Sequence, residues 1–215
     1  MTDITLNVPT PSSTEDAAKT ATLKHTWQNR GPDPSSATAA TVYPSVGGDP
    51  EYLNLWETHF GSFRGKILEI GAGTGFLAKN ILSTNPGVQY TILDIEKHFP
   101  YIQNTLGPEN SGVRFIDTAD YKEVFEEDWD LLVETHCLSE TPRHYYVDIL
   151  SNIKTKNCFI IDYGGDPNDP NFDETLREWF KGFPVGEILS NQQLLGAAKR
   201  GGIPVYIGKE APKQK

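Results

Sequence analysis

The chain has 215 residues, 37% of them hydrophobic, and a formal net charge of −10. That length supports one domain with a sizeable core, and so acidic a surface repels phosphate backbones, which argues against a nucleic-acid partner. Two cysteines, Cys137 and Cys158, make no disulfide framework, and no apolar run is long enough to span a membrane. The start "MTDITLNVPTPSSTEDAAK" has no signal-peptide pattern. A soluble, cytoplasmic protein is expected.

Residues 1–50 are rich in Ser, Thr, Ala and Pro and lack a sustained periodicity. They read as an N-terminal arm or cap. Within them "TEDAAKTATLKHTWQNR" has the composition of one helix, capped by Thr14 and stopped by "GPDPSS". A mobile tail and a lid over a pocket are both compatible with that reading. A folded domain is expected over 51–210, with 211–215 as a tail.

The domain opens on "PEYLNLWETHF", an amphipathic helix with Tyr52, Leu55, Trp56 and His59 near helical spacing. His59 is expected to pack within it. Strand candidates follow at "KILEI" (66–70), "QYTILDI" (89–95), "VRFID" (113–117), "WDLLVET" (129–135) and "NCFIIDY" (157–163). Between them "GFLAKNILS", "HFPYIQNTL" and "PRHYYVDILSNI" have helical spacing, the last with Thr141 as its cap and Pro142 at its first position. "DPNDPNFDE" (166–174) lacks calcium-loop spacing and reads as a solvated acidic loop. "VGEILS" (185–190) and "PVYIGK" (204–209) add two strand candidates, with a helix-like run, "NQQLLGAAKRGG", between them. Strands apolar almost throughout, separated by helices, predict an α/β fold. Its sheet is expected to be parallel, with helices on both faces.

The most informative motif is "ILEIGAGTGFL" (67–77), in which an apolar strand ends and Gly71, Gly73 and Gly75 lead into a helix. Glycines there allow a tight turn and close approach of a ligand to the backbone. The next strand ends in Asp94, an acid placed to accept from ribose hydroxyls. The dinucleotide fingerprint G-x-G-x-x-G/A fits poorly, because the third glycine comes one residue early and Phe76 stands where Gly or Ala is wanted. Glu69 would also oppose a pyrophosphate, whereas it can accept from an ammonium group.

The pattern E-x-G-x-G-x-G with the later Asp94 resembles class I S-adenosylmethionine-dependent methyltransferases. The resemblance implies a Rossmann-like, mostly parallel seven-stranded sheet flanked by helices, with the last strand reversed, and S-adenosylmethionine as cofactor. Glu69, Gly71, Ala72, Gly73 and Gly75 would surround its methionine part, Asp94 its ribose, and Ile95 its adenine. An acid after the third strand would meet the adenine amine. Asp117 and Asp120 are both candidates, and Asp120 is favoured.

The segment after the fourth strand, "VETHCLSETP" (133–142), would face the transferring methyl group. It looks like the same stretch in a subgroup of sugar O-methyltransferases, with Cys137 where a Ser is expected. His136 titrates near neutral pH and suits a general base for a hydroxyl acceptor. Glu134 and Glu140 would orient it or serve as the base, and Glu134 also borders the cofactor. Asp162 and Tyr163 end the fifth strand at the same edge. Glu134 and Asp162 alone make no tight acidic cluster, so no metal is expected.

The expected activity is therefore O-methylation of a small hydroxylated acceptor such as a sugar. N-methylation of a small metabolite, a cofactor-binding protein without turnover, and a dinucleotide oxidoreductase are the alternatives. Acceptor identity and oligomeric state stay open.

Overall fold

The computed structural model describes residues 50–135, 137–162, 171–189 and 205–211. The expected arm, the acidic residues 166–170, the helix-like run 191–202 and the last residues of the tail lie outside the described residues.

Seven strands form one sheet: β1 (Lys66–Ile70), β2 (Gln89–Asp94), β3 (Arg114–Asp117), β4 (Leu131–Thr135), β5 (Cys158–Ile161), β6 (Val185–Leu189) and β7 (Val205–Lys209). Their spatial order is β3-β2-β1-β4-β5-β7-β6. All run parallel except β7, which is antiparallel to both β5 and β6. The helices are α1 (Pro50–Phe60), α2 (Phe76–Thr84), α3 (Phe99–Leu106), α4 (Arg143–Asn152) and α5 (Phe172–Phe180). Among the described residues no helix is long and apolar enough to cross a membrane.

The continuous apolar runs follow from burial on both faces. Along β1, Ile67 packs on one side with Tyr52, Trp56 and Phe60 of α1, with Leu77, Ala78 and Ile81 of α2, and with Ile102 and Leu106 of α3. Leu68 and Ile70 pack on the other side with Tyr146, Ile149 and Leu150 of α4 and Leu176 and Trp179 of α5. Successive side chains point to opposite faces. Glu69 therefore lies on the α1–α3 side, and Glu134, which pairs in register with Ile70, lies on the α4 side.

Three local readings need correcting. Residues 172–174 are not loop but the start of α5. Phe172, Leu176, Trp179 and Phe180 recur at helical spacing and are buried, and Asp173 and Glu174 sit in the first turn, where the helix dipole favours acids. Thr141 does not cap α4. Its hydroxyl donates back to the Leu138 carbonyl at 2.7 Å, and Pro142 occupies the cap position with no side-chain hydrogen bond. The strand expected over 129–135 is split, with Trp129 in a two-residue parallel bridge, Asp128–Trp129 against Lys154–Thr155.

His59 is half-buried beside Phe60 and within electrostatic reach of Lys209 and Glu187. Lys209 lies past Gly208, which pairs with Cys158 at the start of β5. This places His59 toward the edge of the sheet opposite the ends of the parallel strands, where it packs as expected.

Asn85, fully buried after α2, ties the end of α2 to α1 and the loop that follows α1. Its amide donates to the carbonyls of Phe60, Gly61 and Phe63 at 3.2, 2.9 and 3.3 Å, and its Oδ1 accepts from Thr84 Oγ1 at 2.9 Å and Trp56 Nε1 at 3.4 Å. Asn85→Ala strands buried carbonyls and an indole N–H, each of which costs about 1–3 kcal/mol when left unsatisfied. The variant is expected to unfold at a clearly lower urea midpoint with an unchanged slope; a midpoint equal to that of the unsubstituted chain would mean that these bonds contribute nothing net.

Candidate functional site

The chain runs outward from β1 to β2 and β3, then returns to place β4 on the other side of β1. The order reverses between β1 and β4, and in open α/β sheets ligands bind outside the carboxyl ends of strands at such a point. Both candidate loops, 71–75 and the described part of the second, 137–140, lie there.

Gly71, Gly73 and Gly75 have φ of 71°, 56° and 77°, a region that L side chains rarely adopt. At Gly71 the space is also closed, because an added Cβ would overlap the Cβ and Sγ of Cys137. The second loop thus lies against the first, with glycine required at the contact. At Gly75 an added Cβ would meet Ile102 Cγ2 at 2.9 Å, so α2 starts hard against α3. Phe76 is 36% exposed.

Glu69 is fully buried. Its Oε2 accepts from the Tyr90 hydroxyl at 3.0 Å, and its Oε1 has no hydrogen-bond partner among the described residues. Burial pushes its carboxyl up from 4.5 to about 8; the Tyr90 bond opposes this and the Asp94 charge adds to it. A buried acceptor without a partner is costly unless something supplies a donor.

Asp94 ends β2 as expected. Its Oδ1 accepts from Ile95 N at 2.7 Å and meets His98 Nδ1 at 2.8 Å, and its Oδ2 accepts from Gly73 N at 3.1 Å. The carboxylate thereby ties the glycine loop to the end of β2. Ile95 is partly exposed beside it, and Asp117 lies in register with Asp94 at the end of β3. The Asp117 side chain accepts from Ala119 N at 3.3 Å and Thr118 Oγ1 at 3.2 Å. Asp120 is exposed, at φ −107° and ψ 20° inside the turn that follows.

Glu134 is fully buried at the end of β4. Its Oε1 accepts from the amides of Cys137 (2.5 Å) and Leu138 (3.0 Å), while Oε2 is without a partner among the described residues. Burial, then the neighbouring Asp162 carboxylate, push Glu134 well above the ordinary carboxyl range, against the pull of the two amides. Asp162, also fully buried, accepts from Ser139 N at 3.0 Å and from the Ser139 hydroxyl. Two carboxyl groups on neighbouring strands thus hold the turn 137–139. His136, the Glu140 side chain and Tyr163 lie outside the described residues.

Three contributors carried no signal in the sequence. Tyr90 and His98 lie in ordinary strand and turn contexts; the β1–β2 register brings Tyr90 to Glu69, and the turn Glu96–His98 brings His98 back to Asp94. Tyr145 projects from α4 to donate to the Thr118 carbonyl at 3.2 Å, with its ring 4.3 Å from that of Tyr121. Burial pushes its hydroxyl up, and Cys137, Asp117 and Asp94 stand close enough to add to the effect. No group of three or more metal-ligating side chains gathers among the described residues.

No protein-family model matches the chain, and no curated protein matches it in sequence. Solved structures do match. The plantazolicin methyltransferase BpumL, in complex with a triazolic desmethylPZN analog and SAH, aligns at a TM-score of 0.55 and 14% identity over 93% of this chain and 100% of that one. An O-methyltransferase family protein from Burkholderia thailandensis aligns at 0.54 and 11% identity, over 93% of this chain and 63% of that one. The pyocyanin biosynthetic protein PhzM aligns at 0.56 and 13%, over 86% and 61%. The fold is one these three proteins share, the first two of them methyltransferases. The expected class I methyltransferase architecture, with its reversed last strand, is thereby found.

Glu69 gives this site a pH signature. Between about pH 4.5 and 8 the unfolded chain releases this proton and the folded chain keeps it. The contribution to stability is full at the acid end and is lost as pH rises through 8. Glu69→Gln cannot ionise, so between pH 5 and 8 its urea midpoint is expected to fall less than that of the unsubstituted chain. Glu134 titrates in the same direction in both proteins and cancels in the difference. Parallel pH profiles would show that Glu69 is ionised in the fold.

Proposed function

We propose that the chain is an S-adenosylmethionine-dependent methyltransferase that acts on a hydroxyl of a small acceptor such as a sugar. The observation that carries this reading is the pairing of Glu69 and Asp94 around the glycine loop at the switch point. The residues fit the cofactor in three respects. The partnerless Oε1 of Glu69 suits an ammonium donor, the glycine backbone leaves room for close approach, and Asp94 Oδ2 keeps an acceptor position for ribose. When bound, the cofactor supplies a methyl group already activated on a sulfonium centre.

What remains for the protein is to bind, orient and move one proton. Glu69, Gly71, Ala72, Gly73 and Gly75 would hold the methionine end, Asp94 the ribose, and Ile95 the adenine, with Asp117 or Asp120 at its amine. Glu134 borders the same space and fixes the turn 137–139 through two amides. A carboxyl so deeply buried and already bonded suits holding the turn better than taking the acceptor's proton. That role we assign to His136, with Glu140 nearby in sequence to orient it. Thr135 before it ends β4, and Cys137 after it lies over Gly71. His136 stands in sequence between that strand end and that contact, which supports the reading. Methyltransferases of this fold serve many acceptors, so the sugar rests on the sequence resemblance alone.

Calorimetric titration with S-adenosylmethionine, S-adenosylhomocysteine and NADH tests the cofactor. The first two are expected to bind and NADH not, with Asp94→Ala weakening both by roughly a hundredfold, as loss of a charged acceptor implies. NADH binding alone would favour the oxidoreductase reading. On an acceptor that turns over, His136→Ala is expected to lower kcat by about a hundredfold or more while leaving the affinity for S-adenosylhomocysteine near that of the unsubstituted chain. Near-full turnover in that variant would remove His136 as the base.

A further inference from the structure

His98 follows Asp94 by four residues, at the end of the short turn Glu96–His98. It is 9% exposed, its Nδ1 is 2.8 Å from Asp94 Oδ1, and its Nε2 is buried with no partner among the described residues. A buried imidazole with one nitrogen partnerless is kept at a cost, so the bond it does make calls for an explanation. Facing a carboxylate, Nδ1 is the donor.

The acceptor capacity of Asp94 shows what that bond achieves. An ionised carboxylate offers about four lone-pair positions, two on each oxygen. Both positions on Oδ1 are taken, one by the Ile95 amide and one by His98, and one of the two on Oδ2 is taken by the Gly73 amide. Among the described residues one acceptor position is left, and it is on Oδ2. Without His98 each oxygen would hold a single amide bond, the two would be equivalent, and the carboxylate could present either edge to a ligand. His98 breaks that symmetry.

We propose that His98 is a positioning residue of the nucleoside pocket: by saturating Oδ1 it makes Asp94 read a single ribose hydroxyl through Oδ2. The inference rests on the cofactor reading above. It makes the two vicinal hydroxyls of the ribose unequal, one meeting the carboxylate and the other left to water or to a different group.

The test is calorimetric binding of S-adenosylhomocysteine and of its 2′-deoxy and 3′-deoxy forms. The proteins compared are the unsubstituted chain and its His98→Asn, His98→Gln and His98→Ala variants. The amide nitrogen of Asn lies as many bonds from the backbone as Nδ1 and can keep the bond to Oδ1. That of Gln matches Nε2 and cannot. In the unsubstituted chain one deoxy form is expected to bind about tenfold weaker or more, as loss of a hydroxyl to a charged partner implies, and the other to change much less. His98→Asn is expected to keep that difference, and His98→Gln to shrink it to within about threefold. His98→Ala should behave like Gln; if it does not fold, the Asn and Gln pair decides alone.

Equal losses for both deoxy forms in the unsubstituted chain would overturn the proposal, and so would an unchanged difference in His98→Gln. Both outcomes leave the cofactor assignment standing. Absence of S-adenosylhomocysteine binding to the unsubstituted chain would overturn the assignment and this inference with it. A merely structural role for His98 would weaken all three ligands by the same factor and leave the difference untouched.

Discussion

A parallel sheet covered on both faces delivers its strand ends, and the loops that leave them, to one edge, where backbone amides no longer have a neighbouring strand to bond. In this protein carboxylates take those amides. Asp94 accepts from Gly73 and Ile95, Glu134 from Cys137 and Leu138, and Asp162 from Ser139. Each sits at or just after the end of a parallel strand, and together they fix both loops at the switch point. The rest of the site follows from this arrangement, because buried amides must be satisfied and these side chains satisfy them. Glu69 is the exception. Among the described residues it serves no amide, bonds only a phenol, and keeps one oxygen without a partner. Among the buried acids of this edge, it is the one whose presence the fold itself does not explain.

Gathering acids in one place has an electrostatic consequence. Neighbouring carboxylates cannot all ionise in a medium of low dielectric. Burial accounts for most of the upward push on Glu69 and Glu134, with Asp94 and Asp162 respectively adding to it. The β1–β4 register puts Glu69 and Glu134 on opposite faces of the sheet, so each pairs with its own neighbour. The two couples serve different loops: Glu69 and Asp94 lie around the glycine turn, Glu134 and Asp162 under the turn that follows β4.

Much of this was legible in the sequence. The apolar runs of β1, β2, β4 and β5 specify a two-sided sheet, and the glycines specify the turn after β1, because in both cases the governing physics is local. Helix α5 was obscured by the Asp-Pro pairs before it, although Phe172, Leu176, Trp179 and Phe180 already carried helical spacing. Thr141 failed as a cap because a nearer carbonyl, that of Leu138, took its hydroxyl. The contacts of Tyr90 with Glu69 and of Tyr145 with Thr118 join segments 21 and 27 residues apart, which no short window of sequence holds, and the local contact of His98 with Asp94 depends on how the turn after β2 folds. Glu134 reads in sequence as a base or an orienting group; its burial comes from the strands on either side of β4, and its two amide bonds come from the turn three and four residues on.

The contact between Cys137 and Gly71 joins these threads. A side chain at 71 is excluded twice over, by a positive φ and by the thiol that occupies the space. The amide of the same cysteine is held by Glu134. The glycine loop and the turn after β4 therefore share a packed contact, and that turn is bonded to the carboxyl pair beneath it. The packing also bears on the departure from the expected Ser at 137. A thiol is larger and less hydrated than a hydroxyl, so it fills the space against a bare backbone without requiring a hydrogen bond there. The loop that would hold the cofactor and the loop that would hold the base are in this way built as one unit, and a single close contact sets their separation.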